Sequence, residues 1–221
     1  MDQCALCHEK LVKRFKTSAH ARFAIPGPND CVPAQGCESC HGPGSLHIEH
    51  GAPDKFGGHI INPSKKPEAC FRCHVDKQAE FNLPYHHPVR EGKMSCTDCH
   101  DPHGDDMKKG KGVLIARTND ACAQCHREQT RPRVFQHEAL KDGCTVCHNV
   151  HGSINQKMLV ENDNNLCLKC HAEVVNTAHA RIRTVAIAGG SHSGRVNAGP
   201  CWSAGCHTAM HGSNIQHYFR Y

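Results

Sequence analysis

Two cysteines and a histidine recur at the spacing C-x-x-C-H seven times, at Cys4/Cys7/His8, Cys37/Cys40/His41, Cys70/Cys73/His74, Cys96/Cys99/His100, Cys122/Cys125/His126, Cys144/Cys147/His148 and Cys167/Cys170/His171. A random chain with this cysteine and histidine usage would hold about 0.1 such motifs. Positions i, i+3 and i+4 share one face of a helical turn. Two thiols can therefore bond the two vinyl-derived carbons of one haem while the imidazole that follows reaches its iron. Zinc ribbons need pairs of C-x-x-C but no histidine after every second cysteine, and a disulfide framework needs no uniform spacing. The chemistry indicated is covalent haem attachment with histidine as the proximal ligand.

An eighth site is expected at Cys201/Cys206/His207, a C-x4-C-H in which two extra residues loop out while both thioethers form. Eight pairs use all but one of the 17 cysteines. Cys31 is left with no intrachain partner and is read as a free thiol or an intermolecular bridge, a buried thiol being preferred.

The chain has 21 histidines, so thirteen remain beyond the proximal set, and eight irons need only eight of them for two imidazoles each. His103 and His151 follow His100 and His148 by three residues, and His211 follows His207 by four; each precedes a glycine. None can bend back to the iron of its own motif, so each is expected on a neighbouring haem. His86 and His87, before Pro88, can point to opposite sides of an extended segment and serve two haems. His137 precedes the sixth motif as His87 precedes the fourth. His20 and His47 suit the N-terminal haems and His179 the C-terminal part. These are nine candidates for eight places, so one must fail. His50, His59, His192 and His217 are read as solvated or propionate-contacting. Bis-histidine ligation is preferred over the five methionines and implies lower potentials.

The composition fits a chain that borrows its interior. Of 221 residues, 38% are hydrophobic and 5% aromatic, and mean hydropathy is -0.58, too little apolar side chain for an ordinary core. Porphyrin faces must supply much of it, and the apoprotein is expected to be largely unfolded. The formal charge of +5 falls to about -3 once eight ferric bis-histidine haems with ionised propionates are counted, and to about -11 on full reduction. The 26 Lys and Arg are scattered along the chain and read as propionate partners, not as a nucleic-acid surface. No apolar stretch is long enough to span a bilayer.

The elements that must position these groups are short. Motif starts are separated by 33, 33, 26, 26, 22, 23 and 34 residues, which leaves room for short helices and turns only. Pro67-Glu68-Ala69 reads as a helix start, and Asn119-Asp120 and Asn164-Asn165 offer N-cap oxygens before Cys122 and Cys167. Helices are expected to run past the motifs, most clearly through Ala172–Val175, whereas Pro26–Pro33 and Gly189–Pro200 read as loops. A two-haem unit is duplicated: C-T-D-C-H-D-P-H-G from Cys96, followed by the motif at Cys122, matches C-T-V-C-H-N-V-H-G from Cys144, followed by the motif at Cys167. The copies span 86–126 and 137–171. The expected fold is a single elongated octahaem domain over 1–221, with short helices and loops wrapped around a row of haems and no extensive sheet.

Phe81 to Gly104, with His86-His87-Pro88 and E-G-K-M before Cys96, resembles the MtrA/DmsE family of periplasmic multihaem cytochromes. Asn119 to His171, with F-Q-H-E around His137 and H-N-V-H-G-S from His148, resembles it too, as does the closing C-H-T-A-M-H-G-S-N from Cys206. The likeness is specific over 65–221; the first 64 residues match mainly through their haem motifs. His47, closing C-E-S-C-H-G-P-G-S-L-H, looks like the axial ligand of a common multihaem element. Family members typically carry ten haems, and eight motifs bring this sequence nearer the octahaem periplasmic subunits of porin–cytochrome conduits. The resemblance implies a cytochrome inserted into an outer-membrane β-barrel porin. It would take electrons from periplasmic cytochrome donors and pass them to an outer-surface multihaem cytochrome.

Electron transfer is therefore the expected function, with a polymeric cytochrome filament or a soluble periplasmic shuttle as alternatives. A multihaem reductase would need an iron with an open position, and here every motif ends in histidine. The chain is not expected to be an enzyme. Haem attachment takes place outside the cytoplasm, so the chain must be exported; only three residues precede Cys4, and the sequence is read as a processed chain.

Overall fold

A computed structural model describes residues 1–22, 24–25, 34–50, 59–104, 114–171, 173–176, 181–184, 186–187, 190–192, 195 and 198–220. Cys31 and His179 lie outside the described residues. The chain forms two compact units, Met1–Asn82 with His87–Lys111, and Leu83–His86 with Gly112–Tyr221.

The first unit opens with a helix at Asp2–Phe15, broken at His8 where the first motif ends (φ -115°, ψ 37°). Short helices follow at Glu38–His41, Ser45–His50, Glu68–Phe71, Val75–Glu80 and Cys96–Cys99. Pro67 occupies the N-cap of Glu68–Phe71, since a residue without N–H loses nothing at a helix start. Ser95 and Asp98 form a reciprocal capping box on Cys96–Cys99, which satisfies two of the orphan donors of that short helix. The core is small: Phe71, Phe81 and Val89, with Met94 and Cys96 packed against it. Their burial contributes roughly 1.5–3 kcal/mol per large side chain, little against the ordering entropy of such a chain.

The second unit has helices at Leu114–Ala123, Arg127–Thr130 and Asp163–Leu168, with 3-10 turns at Glu138–Asp142, Cys144–Val146 and Gln156–Met158. Beyond the seventh motif the structure departs from expectation. Glu173–Asn176 is a strand, paired antiparallel with Arg181–Thr184, not the continuation of a helix through Ala172–Val175. The adjacent β-branched Val174 and Val175 favour extended backbone, and Ile182 and Thr184 on the facing strand do the same. A two-residue ladder joins Ala186–Ile187 to Gly190–Ser191, the second strand falling at the start of the Gly189–Pro200 stretch read as loop, and another joins Ala24–Ile25 to Ala34–Gln35 in the first unit. The sheets have two strands each, so the fold remains one of short helices and loops.

Among the described residues no large side chain is fully buried, while Leu6, Val134, Ile154 and Ile215 are each 70% exposed or more. Apolar side chains left in solvent in a chain with so small a core suit contact with a group other than polypeptide. No helix among the described residues is long and apolar enough to cross a membrane.

Candidate functional site

Each motif is a closed turn. The histidine N–H donates to the carbonyl of the first cysteine in His41–Cys37, His74–Cys70, His100–Cys96, His126–Cys122, His148–Cys144 and His171–Cys167, at 2.9–3.1 Å. The same bond joins His207 to Cys201 at 3.0 Å. It spans six residues there instead of four, with Gly205 at φ +83° taking up the turn that an L side chain rarely adopts. The C-x4-C-H thus presents its two sulfurs and imidazole on the same hydrogen-bonded frame as the shorter motifs.

The imidazoles come together in pairs. Ring centroids stand 6.4 Å apart for His8–His47, 6.1 Å for His20–His74, 5.9 Å for His41–His103, 6.1 Å for His137–His171, 6.2 Å for His148–His211 and 6.3 Å for His192–His207. Each pair joins one motif histidine to one histidine from elsewhere in the chain. A metal–imidazole bond is about 2 Å, and the ring centre lies about 1.1 Å behind its nitrogen. Two imidazoles on opposite sides of one iron therefore stand about 6.2 Å apart, centre to centre. The residues present fit a haem iron at all six places.

Local hydrogen bonds aim the rings. Nδ1 of His41 faces the Ile61 carbonyl at 2.8 Å, that of His148 the Lys157 carbonyl at 2.9 Å, and that of His207 the Tyr218 carbonyl at 2.7 Å. With Nδ1–H donating to a carbonyl, Nε2 is left as the metal-binding atom. The carbonyls are held out by unusual backbone. Lys157 and Met158 are left-handed at φ 57° and 55°, and Phe219, after Tyr218, is at φ 57°; such strain persists where the surroundings over-determine it.

The partner histidines are positioned two at a time. Phe135 and Ser213 form a bridge with two 2.8 Å backbone bonds, which sets His137, two residues on from Phe135, near His211, two residues before Ser213. His137 then faces His171 and His211 faces His148. A bridge between Tyr85 and Ser153 repeats this one repeat earlier, with His86 and His151 each one or two residues from it. His86 Nδ1 faces the Leu83 carbonyl at 2.6 Å. Burial holds His103, His137 and His211 below the ordinary imidazole pKa, and the facing His41, His171 and His148 respectively add to it. Each is thereby kept in the neutral form that a metal needs.

The cysteines show how successive motifs meet. First cysteines hydrogen-bond to first cysteines: Cys4 with Cys37, Cys70 with Cys96, Cys122 with Cys144 and Cys167 with Cys201. The bond to Cys96 pushes Cys70 up and lowers Cys96 to about 7. The bond to Cys122 likewise lowers Cys144 to about 7, and burial followed by Cys201 pushes Cys167 up to about 12. Second cysteines meet second cysteines at the alternate steps: burial and then Cys73 raise Cys40, and burial and then Cys170 raise Cys147. Within each unit, consecutive motifs are neighbours in chain order, through alternating edges.

Among the second cysteines the polypeptide leaves Cys7, Cys73, Cys125, Cys170 and Cys206 exposed, whereas the first cysteines Cys4 and Cys122 are half-buried.

Two asparagines serve a different purpose from the one expected of them. Asn119 lies inside the helix Leu114–Ala123 and Asn164 inside Asp163–Leu168, so neither is an N-cap. Asn119 Oδ1 instead accepts from the Cys144 amide at 3.0 Å, and Asn164 Oδ1 from the Cys201 amide at 2.8 Å. Sequence reasoning also passed over His192, which faces His207; its one available signal was its place nine residues before Cys201, as His137 stands seven before Cys144.

Among the described residues no group of three or more His, Cys, Asp or Glu side chains converges as a metal cluster would require, so the ligand types gather in pairs. The family described as "Doubled CXXCH motif" matches residues 86–131 and 137–176. The chain is also 27% identical to multiheme cytochrome MtrA of Shewanella baltica (strain OS185) over an alignment of 266 positions that covers 96% of this chain and 78% of that protein.

Proposed function

We propose that this chain, a multihaem cytochrome of the MtrA type, binds eight c-type haems and carries electrons along them. The observation that carries the reading is the set of six imidazole pairs at 5.9–6.4 Å, each with one motif histidine. On this reading His47, His20, His103, His211, His137 and His192 are the distal ligands opposite His8, His74, His41, His148, His171 and His207. His86, His87 and His151 remain for the irons of His100 and His126.

Each bound haem supplies a one-electron ferric/ferrous couple. The polypeptide does the rest. The cysteine pairs bring neighbouring motifs into contact, the carbonyls of Ile61, Lys157 and Tyr218 orient the imidazoles, and a second imidazole closes the sixth position against substrates. Such closure favours an electron carrier over an enzyme.

The finer role we infer is conduction through the outer membrane inside a β-barrel porin, between periplasmic donors and an outer-surface multihaem cytochrome. The likeness to MtrA over nearly the whole chain supports it. The test is to tag the chain in its own organism, identify what copurifies, and reconstitute the complex in liposomes. A β-barrel partner and reduction of an enclosed acceptor by an external donor are expected; reduction without the barrel, or a chain that copurifies only with copies of itself, would favour the shuttle or the filament.

A further inference from the structure

Six of the close histidine pairs contain a motif histidine; His50–His59 does not. Their ring centroids stand 5.6 Å apart with 38° between planes, closer than any of the six haem-type pairs. With a bond of about 2 Å and a ring centre about 1.1 Å behind the nitrogen, that separation corresponds to a nitrogen–metal–nitrogen angle of about 130°. The angle is bent, as in a tetrahedral or five-coordinate ion, and not opened to the straight line that spans a porphyrin. Both side chains are exposed, so an ion can arrive from water and keep water in its other positions.

The surroundings place this pair. His50 closes the helix Ser45–His50, one turn beyond His47, which faces His8. His59 lines a cavity of about 370 Å³ together with His41, Ile61, Lys65 and Lys66, and His41 is the motif histidine that faces His103. The two lysines disfavour a bare cation in the cavity itself and suit anionic co-ligands on an ion held at its edge.

We propose that His50 and His59 form a binding site for one exchangeable first-row transition-metal ion, of the kind that imidazole prefers: copper, nickel, zinc or iron. Its position beside the first two haem sites rests on the haem reading above; the binding itself does not.

The ferric holoprotein is titrated with Cu2+, the tightest binder of the series, and followed by electron paramagnetic resonance. One equivalent is expected to give a copper signal with nitrogen splitting from two imidazoles. H50Q/H59Q should weaken that binding by about tenfold or more, with its haem absorption unchanged, while H217Q, which alters an exposed histidine of no pair with a motif, should bind as the parent does. Copper binding in H50Q/H59Q equal to the parent's, or no signal with nitrogen splitting in the parent, would overturn the proposal. The haem content of the same samples, read by mass, reports separately on the haem assignment.

Discussion

The side-chain oxygen of Asn164 accepts a hydrogen bond from the backbone amide of Cys201, 37 residues away and 2.8 Å distant. Asn119 holds the amide of Cys144 in the same way. Each asparagine stands three residues before the first cysteine of one motif and grips the first cysteine of the next. In both cases the two cysteines so joined are themselves in contact. The asparagines therefore act as latches that fix the spacing of neighbouring haem sites.

Replacing Asn164 with alanine leaves the Cys201 amide without its acceptor in a half-buried place. The expected loss is about 1–3 kcal/mol of stability in the holoprotein, read by denaturant titration at the haem absorption band. N119A should behave alike at the Cys122–Cys144 junction. Asn164→Asp keeps an acceptor oxygen and should recover most of the loss. Equal stability of N164A and the parent would show that the latch does not hold the junction.

Two glycines that follow equivalent histidines separate strain from crowding. Gly212 has φ +112°, and a Cβ there would lie 2.8 Å from the Phe135 carbonyl oxygen, in the bridge that aligns His137 and His211. G212A is expected to cost about 1–3 kcal/mol and to raise the high-spin fraction seen by electron paramagnetic resonance as His211 or His137 is displaced. At Gly104 a Cβ would meet only the end of the Arg14 side chain, at 2.9 Å, and that flexible group can move aside. G104A should keep its low-spin spectrum. Identical behaviour of the two variants would contradict this account of the bridge.

Local chemistry was legible in the sequence and long-range pairing was not. Cys4/Cys7/His8 and its six repeats announce themselves because the three groups sit within one helical turn, and spacing alone defines the site. His103 and His211 were expected on some other haem because each is too near its own motif. That His103 faces His41 and His211 faces His148 depends on contacts across 62 and 63 residues of chain, which no local pattern encodes. Asn119 and Asn164 were misread as caps for the same reason, since a side chain that satisfies a remote amide looks in sequence like one that satisfies its own helix. Val174 and Val175 were misplaced because periodicity over four residues cannot separate a helix end from a strand start.

The C-x4-C-H site tests the haem count. His207 donates to Cys201 across the wider loop as its counterparts do across four residues, so both thioethers should form and the intact mass should equal the chain plus eight haems. C201A is expected to retain that haem through Cys206 alone and to shift its reduced α-band in alkaline pyridine, as one vinyl group returns. C201A/C206A should lose one haem by mass. An unmodified parent mass at seven haems would remove the eighth site and leave the pairing of His192 with His207 without an iron.

His192 gives the sharpest test of the pairing. It faces His207 at 6.3 Å, with 37° between the rings, where sequence reasoning had favoured His179 for the C-terminal region. If His192 is the sixth ligand there, H192A opens one iron and no other. The reduced variant should bind carbon monoxide at one haem in eight, visible as a fractional Soret shift, and the ferric form should gain one high-spin signal. The other imidazole pairs do not share a residue with His192, so their irons should stay six-coordinate and the remaining haems should exclude carbon monoxide as the parent does. Uptake by two or more haems would mean that His192 holds up the fold around it instead of one iron. No uptake at all would return the eighth iron to another histidine.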